Sequence, residues 1–194
     1  LILLSSINNL QLNNEKFGAI KKINITGLEK KDNQILLNKL KKINLENIFF
    51  INHIKLTEVL EKNSLVHNFN VKKKYPSSLD IEIKKTDFVA KISNNGKIMI
   101  VGSNGKFLKN EIYNGYLPFI FGKPSIQEIL KFKKIIDSSK FSFDQIKNLY
   151  FFPSLRWDID LNNNILLKLP VEQPGKALNF AYFSLERIFQ RPSI

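Results

Sequence analysis

The sequence predicts an α+β protein in two parts: a first part with the order β-α-α-β-β, and a second, mainly antiparallel β part with two packed helices. Alternation of apolar and polar residues predicts the strands, most clearly from Leu79 to Lys84. The turn signals Asn95-Gly96 and Asn104-Gly105 predict hairpins, because Asn and Gly both tolerate a positive φ. Apolar residues spaced three and four positions apart predict the helices.

The first part is predicted to contain three strands and two helices. A strand from Phe17 to Ile25 is followed by a helix for which Asp32 is the expected cap. Asn52 is the expected cap of the second helix, and the next strand runs from Val66 to Tyr75. The apolar faces of the two helices are formed by Ile35, Leu36, Leu37 and Leu40, and by Leu56, Val59 and Leu60.

The second part is predicted to combine short strands with two longer helices. We interpret Leu117–Gly122 as a linker or a short edge segment. The stretch Ser125-Ile126-Gln127-Glu128 is a capping box that opens an amphipathic helix. Trp157–Leu161 and Ile165–Leu169 alternate on either side of three asparagines and predict a hairpin. A last helix is expected from about Gln173 to Phe189.

The charge of the chain invites a nucleic-acid interpretation. The 194 residues carry a formal net charge of +13, and clustered cations attract phosphate backbones. However, lysine outnumbers arginine 27 to 3, whereas proteins that read grooves and phosphates favour the bidentate fork of arginine. We therefore expect no nucleic-acid partner, and attraction to anionic lipid or cell-wall polymer stays open.

The sequence holds no catalytic motif. Its eight glycines are scattered singly, so no phosphate-binding loop is predicted, and the absence of cysteine excludes thiolate sites. His53 and His67 have no carboxylate at a metal-ligand spacing and are interpreted as structural. Asp158 and Asp160 are interpreted as a solvent-facing polar row on the face opposite Trp157. We expect a non-enzymatic protein without a cofactor, a metal or a small-molecule substrate.

Three segments carry a resemblance to a known family. Ile20–Gly27 has the form hydrophobic-x-hydrophobic-x-Gly that opens a POTRA domain, and the β-α-α-β-β order fits that domain. Val66–Ile83 combines a basic strand, an aromatic-Pro pair and an alternating strand. Leu117–Gly122 is similar to a Leu-Pro-x-hydrophobic-x-Gly element. In their order and spacing these segments resemble the FtsQ/DivIB family of bacterial cell-division proteins, over about residues 17–190.

The resemblance implies three regions. Residues 15–86 would form a POTRA domain, and residues 87–194 would form a β domain that lacks its final strand. Residues 1–14 are interpreted as a membrane-proximal spacer. Within it, Leu1–Leu4 fit either the end of a single-pass transmembrane anchor or the start of an ordinary strand or helix. By the same resemblance, the chain is expected in the bacterial inner membrane, with this part in the periplasm at the division septum.

The resemblance also implies a function. Members of this family are scaffolds that bind the division proteins FtsB and FtsL and help recruit septal cell-wall synthesis proteins. The expected mode of binding is strand addition at an exposed sheet edge, and the family's final strand is a main docking site for FtsB. The alternative function is that of a POTRA-type client-binding module in an outer-membrane assembly or secretion protein.

The resemblance leads to five predicted partner-binding residues. Asn68, Val71 and Lys73 lie on the basic strand, where Val71 fits the core and Lys73 fits a solvated surface equally well. Arg156 and Trp157 lie near the expected surface for FtsB. Arginine makes bidentate bonds to acidic partners, although Arg156 fits an ordinary surface charge equally well.

Overall fold

The computed structural model describes residues 18–43, 45 and 47–189. The chain divides into two compact units between Lys85 and Thr86. Within the described part, no helix is both long enough and apolar enough to cross a membrane. The predicted spacer (residues 1–14), the start of the first predicted strand at Phe17, and residues 190–194 at the end of the expected β domain lie outside the described residues.

The first unit is a three-stranded sheet with two helices. Its elements are β1 (Lys22–Thr26), α1 (Lys30–Lys41), α2 (His53–Glu61), β2 (Val66–Lys74) and β3 (Ser78–Lys85). The strand order is β1-β3-β2, so that β3 is central, parallel to β1 and antiparallel to β2. The predicted β-α-α-β-β order is therefore confirmed.

One face of this sheet is buried beneath the helices. The predicted alternation along β3 is confirmed, because its odd-numbered apolar side chains are buried and its Glu82 and Lys84 side chains are exposed. The helices contribute a matching apolar stripe with helical spacing. The fully buried members of this core include Leu79 and Ile81 from β3, Leu36 and Leu40 from α1, and Leu56 and Leu60 from α2.

The two predicted helix caps have different outcomes. Asn52 caps α2 as predicted, because its Oδ1 accepts a hydrogen bond from the Lys55 N–H at 3.0 Å. The prediction for Asp32 is wrong. Helix α1 begins earlier, with Glu29 at the N-cap, so that Asp32 lies within the first turn. There its carboxylate interacts favourably with the positive end of the helix dipole, but Asp32 is not the N-cap residue.

The second unit is built on a seven-stranded sheet. Four of its six strand pairings are antiparallel, as the sequence predicts for most of them, and the order is β10-β9-β8-β7-β4-β5-β6. Its elements are β4 (Phe88–Asn94), β5 (Lys97–Gly102), β6 (Phe107–Lys109), β7 (Phe119–Phe121), α3 (Ile126–Asp137), β8 (Ile146–Phe151), β9 (Trp157–Leu161), β10 (Leu166–Lys168) and α4 (Pro174–Phe189).

Helices α3 and α4 pack against one face of this sheet. The capping box at the start of α3 is confirmed, with the Glu128 N–H donating to Ser125 Oγ at 3.3 Å and the Ser125 N–H donating to Glu128 Oε2 at 2.6 Å. The core between the helices and the sheet includes Ile129, Phe132 and Ile136 of α3, Leu178 of α4, and Ile120, Leu149 and Ile159 of the sheet. The predicted α+β class is therefore confirmed.

The interpretation of Leu117–Gly122 as a linker or edge segment is wrong. Strand β7 lies inside the sheet and pairs in parallel with both β4 and β8. Its central residue, Ile120, is buried in the core. Both of its pairings are made with strands distant in sequence, so that no local hairpin signal accompanies them.

The interpretation of Asp158 and Asp160 as a solvent-facing row is also wrong for Asp158. The side chains of both aspartates point to the predicted face, but Asp158 is only 3% exposed. Its carboxylate is held by the guanidinium of Arg156. Asp160 is partly exposed and accepts a hydrogen bond from the Asn148 amide at 2.9 Å. The alternation therefore predicts the face correctly but not the burial.

We expect Gly122→Ala to destabilise the second unit more than Gly96→Ala. Both glycines have a positive φ, of +101° and +76°, at which alanine costs about 1 kcal/mol or more. A Cβ at Gly122 would also lie 2.3 Å from the Phe151 carbonyl oxygen, whereas a Cβ at Gly96 meets nothing within 4 Å. We expect the decrease in the free energy of unfolding, measured by denaturant unfolding, to be at least about twice as large for Gly122→Ala as for Gly96→Ala. Equal losses would contradict the described contact.

Candidate partner-binding surfaces

The strand β10 presents unpaired backbone groups at one edge of the second sheet. Its pairing with β9 is flanked by hydrogen bonds from the Leu161 N–H to the Ile165 carbonyl and from the Leu169 N–H to the Trp157 carbonyl. Because the two sides of a strand alternate, Leu167 also faces β9, while the N–H and C=O groups of Leu166 and Lys168 face away from it. Among the described residues these groups form the open edge of the sheet.

Apolar surface accompanies this open edge. The Leu166 side chain is 49% exposed, on the face of the sheet opposite the helices. Close to the turn before β10, a cleft of about 430 Å³ lies between Asn162 and the later half of α4, where Tyr182 and Leu185 line it. The phenol of Tyr182 is hydrogen-bonded to Glu186, which raises the pKa of the phenol.

Helix α4 has a second apolar stripe that points away from the core. Phe180 and Phe183 are exposed, three residues apart on the same side of the helix. The Phe183 ring contacts the Tyr182 ring with centroids 6.0 Å apart, so that this stripe borders the cleft. Residue periodicity reveals the inward face of α4, but the outward phenylalanines were not among the predicted contact residues. The signal in the sequence that could have revealed this stripe was the presence of apolar residues on both faces of the predicted helix.

Arg156 lies at the surface, where it is held by two neighbours. Its Nε and Nη2 donate to Oδ1 and Oδ2 of Asp158 at 3.1 and 3.3 Å. Its guanidinium also lies 4.4 Å from the ring centroid of Phe152. The arginine is partly exposed and the aspartate is buried. Arg156 therefore neutralises a buried carboxylate, and only the remaining hydrogen-bond donors of its guanidinium face solvent.

Trp157 lies in the core rather than on a surface. It is 7% exposed and stacks on Phe132 of α3, with ring centroids 4.5 Å apart and an interplanar angle of 4°. The Phe151 ring is tilted against the same indole, with ring centroids 4.9 Å apart. Of the predicted pair, Arg156 alone is placed to reach a partner. Trp157 contributes by fixing β9 against α3.

The three predicted residues of the basic strand do not share one face. Val71 and Lys73 stand opposite Ile81 and Leu79, both buried, and so point to the face covered by the helices. Val71 packs against that core, and Lys73 is partly exposed at the end of the strand. Asn68 points to the other face, and its Oδ1 accepts a hydrogen bond from the Phe69 N–H.

The outward face of the first sheet carries a ladder of paired charges. Lys72 Nζ donates to both Glu82 oxygens at 2.7 and 2.9 Å, and Lys74 forms a salt bridge with Asp80. The hydrogen bond from Lys74, and after it that from the Asn24 amide, lowers the pKa of Asp80. The edge strand β2 ends in three consecutive lysines. Lysines on an edge strand discourage the pairing of further strands.

Comparison with known proteins identifies the first unit. Residues 18–85 match the family described as the POTRA domain, FtsQ-type. This part of the chain is an FtsQ-type POTRA domain. The match covers β1 to β3 and both helices of the first unit. The resemblance to the FtsQ/DivIB family that was drawn from the sequence is therefore confirmed.

The chain is also similar to individual FtsQ/DivIB proteins. It is 34% identical over 92 residues to the cell division protein DivIB of Clostridium acetobutylicum, a stretch that covers 46% of this chain and 36% of that protein. The chain thus matches about a third of the length of its relative. A solved structure of the major extracytoplasmic domain of DivIB from Geobacillus stearothermophilus has a TM-score of 0.39 at 11% identity. It covers 57% of this chain and 99% of that domain, and at this TM-score it adds nothing to the assignment.

We expect Arg156→Ala to destabilise the β domain because it leaves the Asp158 carboxylate buried and unpaired. Since Arg156 itself is partly exposed, the loss should be about 1–2 kcal/mol rather than the larger values of fully buried pairs. In the double variant Arg156→Ala/Asp158→Asn the losses of the two single variants should not add, and Arg187→Ala on α4 should change little. Denaturant unfolding of the wild-type chain and these four variants, with Asp158→Asn alone among them, measures this. Additive losses would show that the pair is not coupled.

Proposed function

We propose that the chain is the extracytoplasmic part of an FtsQ/DivIB-type cell-division scaffold. In this proposal it is not an enzyme: it binds FtsB and FtsL and helps to recruit septal cell-wall synthesis proteins. A single-pass anchor holds it in the inner membrane, with both described units in the periplasm at the septum. The FtsQ-type POTRA domain and the similarity to a protein named for cell division support this proposal.

The open edge of β10 is the observation that carries the binding mode. The backbone groups of Leu166 and Lys168 point away from β9, as strand addition requires. The edge strand β2, which carries the predicted POTRA contacts, ends in Lys72, Lys73 and Lys74, which oppose the approach of another strand. We therefore place the main docking site on the β domain. Asn68 and Lys73 remain proposed contacts of the POTRA domain with other division proteins.

Backbone pairing alone is too weak to hold a partner. Leu166 and Lys168 together offer four backbone groups, and hydrogen bonds of this kind contribute about 1 kcal/mol each. The sum, about 4 kcal/mol, corresponds to a dissociation constant of roughly 1 mM. Apolar contacts must supply the rest, and the exposed Leu166 side chain and the α4 stripe of Phe180 and Phe183 are placed to do so.

The alternative is a client-binding POTRA module of an outer-membrane assembly or secretion protein. The matched POTRA domain is of the FtsQ type, which favours the division scaffold. The alternative function predicts binding of unrelated unfolded strands with similar affinity, whereas the scaffold binds one partner complex selectively.

We expect Lys168→Pro to weaken binding to a soluble FtsB–FtsL complex by about tenfold or more. Proline removes the outward N–H of Lys168 while leaving the bonds to β9 in place, and edge strands tolerate it. Lys168→Ala is the matched control, because it shortens the same side chain and keeps the N–H. Calorimetric titration of the wild-type chain and both variants measures the effect, after denaturant unfolding shows that all three are folded.

Two outcomes would contradict this account. If Lys168→Ala weakened binding as much as Lys168→Pro, the side chain rather than the backbone edge would be the contact. If the folded wild-type chain did not bind the complex at all, the division assignment would fail, and binding of unfolded client strands would be the next measurement.

A further inference from the structure

Three segments of the POTRA domain lie together at one end of its sheet. Residues 18–22 lead into β1, residues 47–55 lead into α2, and residues 74–78 connect β2 to β3. The pairing of Lys22 with Ser78 places the first and third segments side by side. We call this end of the domain the basal end. The opposite end carries the last residue of β3, Lys85, which leads into the second unit.

The middle segment touches both of the others. A β-bridge joins Ala19 to Asn47, and the Ile48 N–H donates to the Gly18 carbonyl at 2.8 Å. The Phe49 ring stacks on the Tyr75 ring, with centroids 5.3 Å apart. These contacts fix the loop before α2 at the basal end.

The basal end exposes large apolar side chains. Phe50 is 85% exposed, Ile54 is 81% exposed and Tyr75 is 61% exposed. Between the first two, Ile51 is buried in the core, as is Leu56 just beyond them. Four residues span at most about 14 Å, so that the backbones of Phe50 and Ile54 lie within that distance of each other. Packing within the domain does not account for the exposure of these two side chains.

Lysines lie on all three segments of the basal end. Lys55 follows Ile54 directly and is exposed, as are Lys21 and Lys22 on the neighbouring segment. On the third segment, Lys74 is paired with Asp80, and Lys73 just before this segment is partly exposed. Across residues 18–85 there are fourteen lysines against seven aspartates and glutamates. The basal end thus combines exposed apolar side chains with an excess of positive charge.

We propose that the basal end binds the surface of an anionic lipid bilayer. Aromatic and aliphatic side chains insert at the boundary of headgroups and acyl chains, while lysines bind the anionic headgroups. The positive charge of the basal end is complementary to such a surface. Nucleic acid fits less well, because residues 18–85 hold no arginine, whose bidentate fork suits phosphate groups.

The inference does not depend on partner binding at β10, which belongs to the other unit. If the proposed function also holds, the anchor precedes the segment at residues 18–22, and the basal end is the part of the POTRA domain that faces the membrane. Lipid contact would then orient the POTRA domain and direct its last residue, Lys85, away from the bilayer.

The test is binding of the chain to vesicles of one part phosphatidylglycerol and two parts phosphatidylcholine. We expect Phe50→Ser/Ile54→Ser to weaken binding by about tenfold or more, since both side chains lose their insertion into the interface. The matched control, Ile98→Ser/Phe180→Ser, removes two exposed apolar residues of the β domain and should leave binding within about twofold. All four substituted positions are exposed, so that folding should be preserved.

A charge comparison separates headgroup binding from general attraction. Lys55→Glu should weaken binding by about tenfold, because it reverses a charge at the surface. Lys31→Glu, in the first turn of α1 beyond the other end of β1, should have less than about a twofold effect. The length of β1 separates the two ends by about 13 Å, more than the Debye length of about 8 Å at physiological salt.

The proposal is overturned if the wild-type chain does not bind these vesicles, or if Phe50→Ser/Ile54→Ser binds as tightly as wild type. Equal binding to pure phosphatidylcholine vesicles would overturn the role of the lysines. Phe50→Ser/Ile54→Ser and Lys55→Glu should keep wild-type affinity for the FtsB–FtsL complex, so that failure of lipid binding and failure of partner binding are separate results.

Discussion

The burial of one apolar sheet face beneath a pair of helices organises both units. In the POTRA domain, Leu79 and Ile81 of the central strand meet the stripes of α1 and α2. In the second unit, Ile120, Leu149 and Ile159 meet α3 and α4. Because the helices cover only one face, the opposite face of the POTRA sheet and the edge strands β2 and β10 remain accessible to solvent. The proposed binding surfaces lie on structure that this arrangement leaves uncovered.

The edges of the two sheets differ in chemistry, and this difference decides where a partner strand is placed. The end of β2 carries three consecutive lysines, and those at 72 and 74 are paired with acidic residues of β3 across the outward face. Strand β10 is short and carries Leu166, which is exposed on the face opposite the helices. Arg156 supports this region indirectly, because it neutralises the buried Asp158 in the neighbouring strand β9. The first edge resists pairing and the second favours it.

Local patterns predicted the parts of the structure that depend on neighbouring residues. Alternation along β3, the turn at Asn95-Gly96 and the capping box at Ser125 are of this kind, and all are confirmed. Apart from the N-cap of α1, which is Glu29 rather than Asp32, the errors concern non-local relations: β7 was missed because both of its partner strands are far away in sequence. The burial of Asp158 depends on a guanidinium, which alternation cannot show. The resemblance supplied the positions of Asn68, Val71 and Lys73, but only the register shows that they lie on different faces.

The most direct test of strand addition is amide hydrogen exchange at β10 with and without a soluble FtsB–FtsL complex. The account predicts that the amides of Leu166 and Lys168, which face the open edge, become protected when the complex binds. The Leu167 amide, which already faces β9, should change much less. Binding that leaves the Leu166 and Lys168 amides as fast as in the free chain would contradict strand addition at this edge.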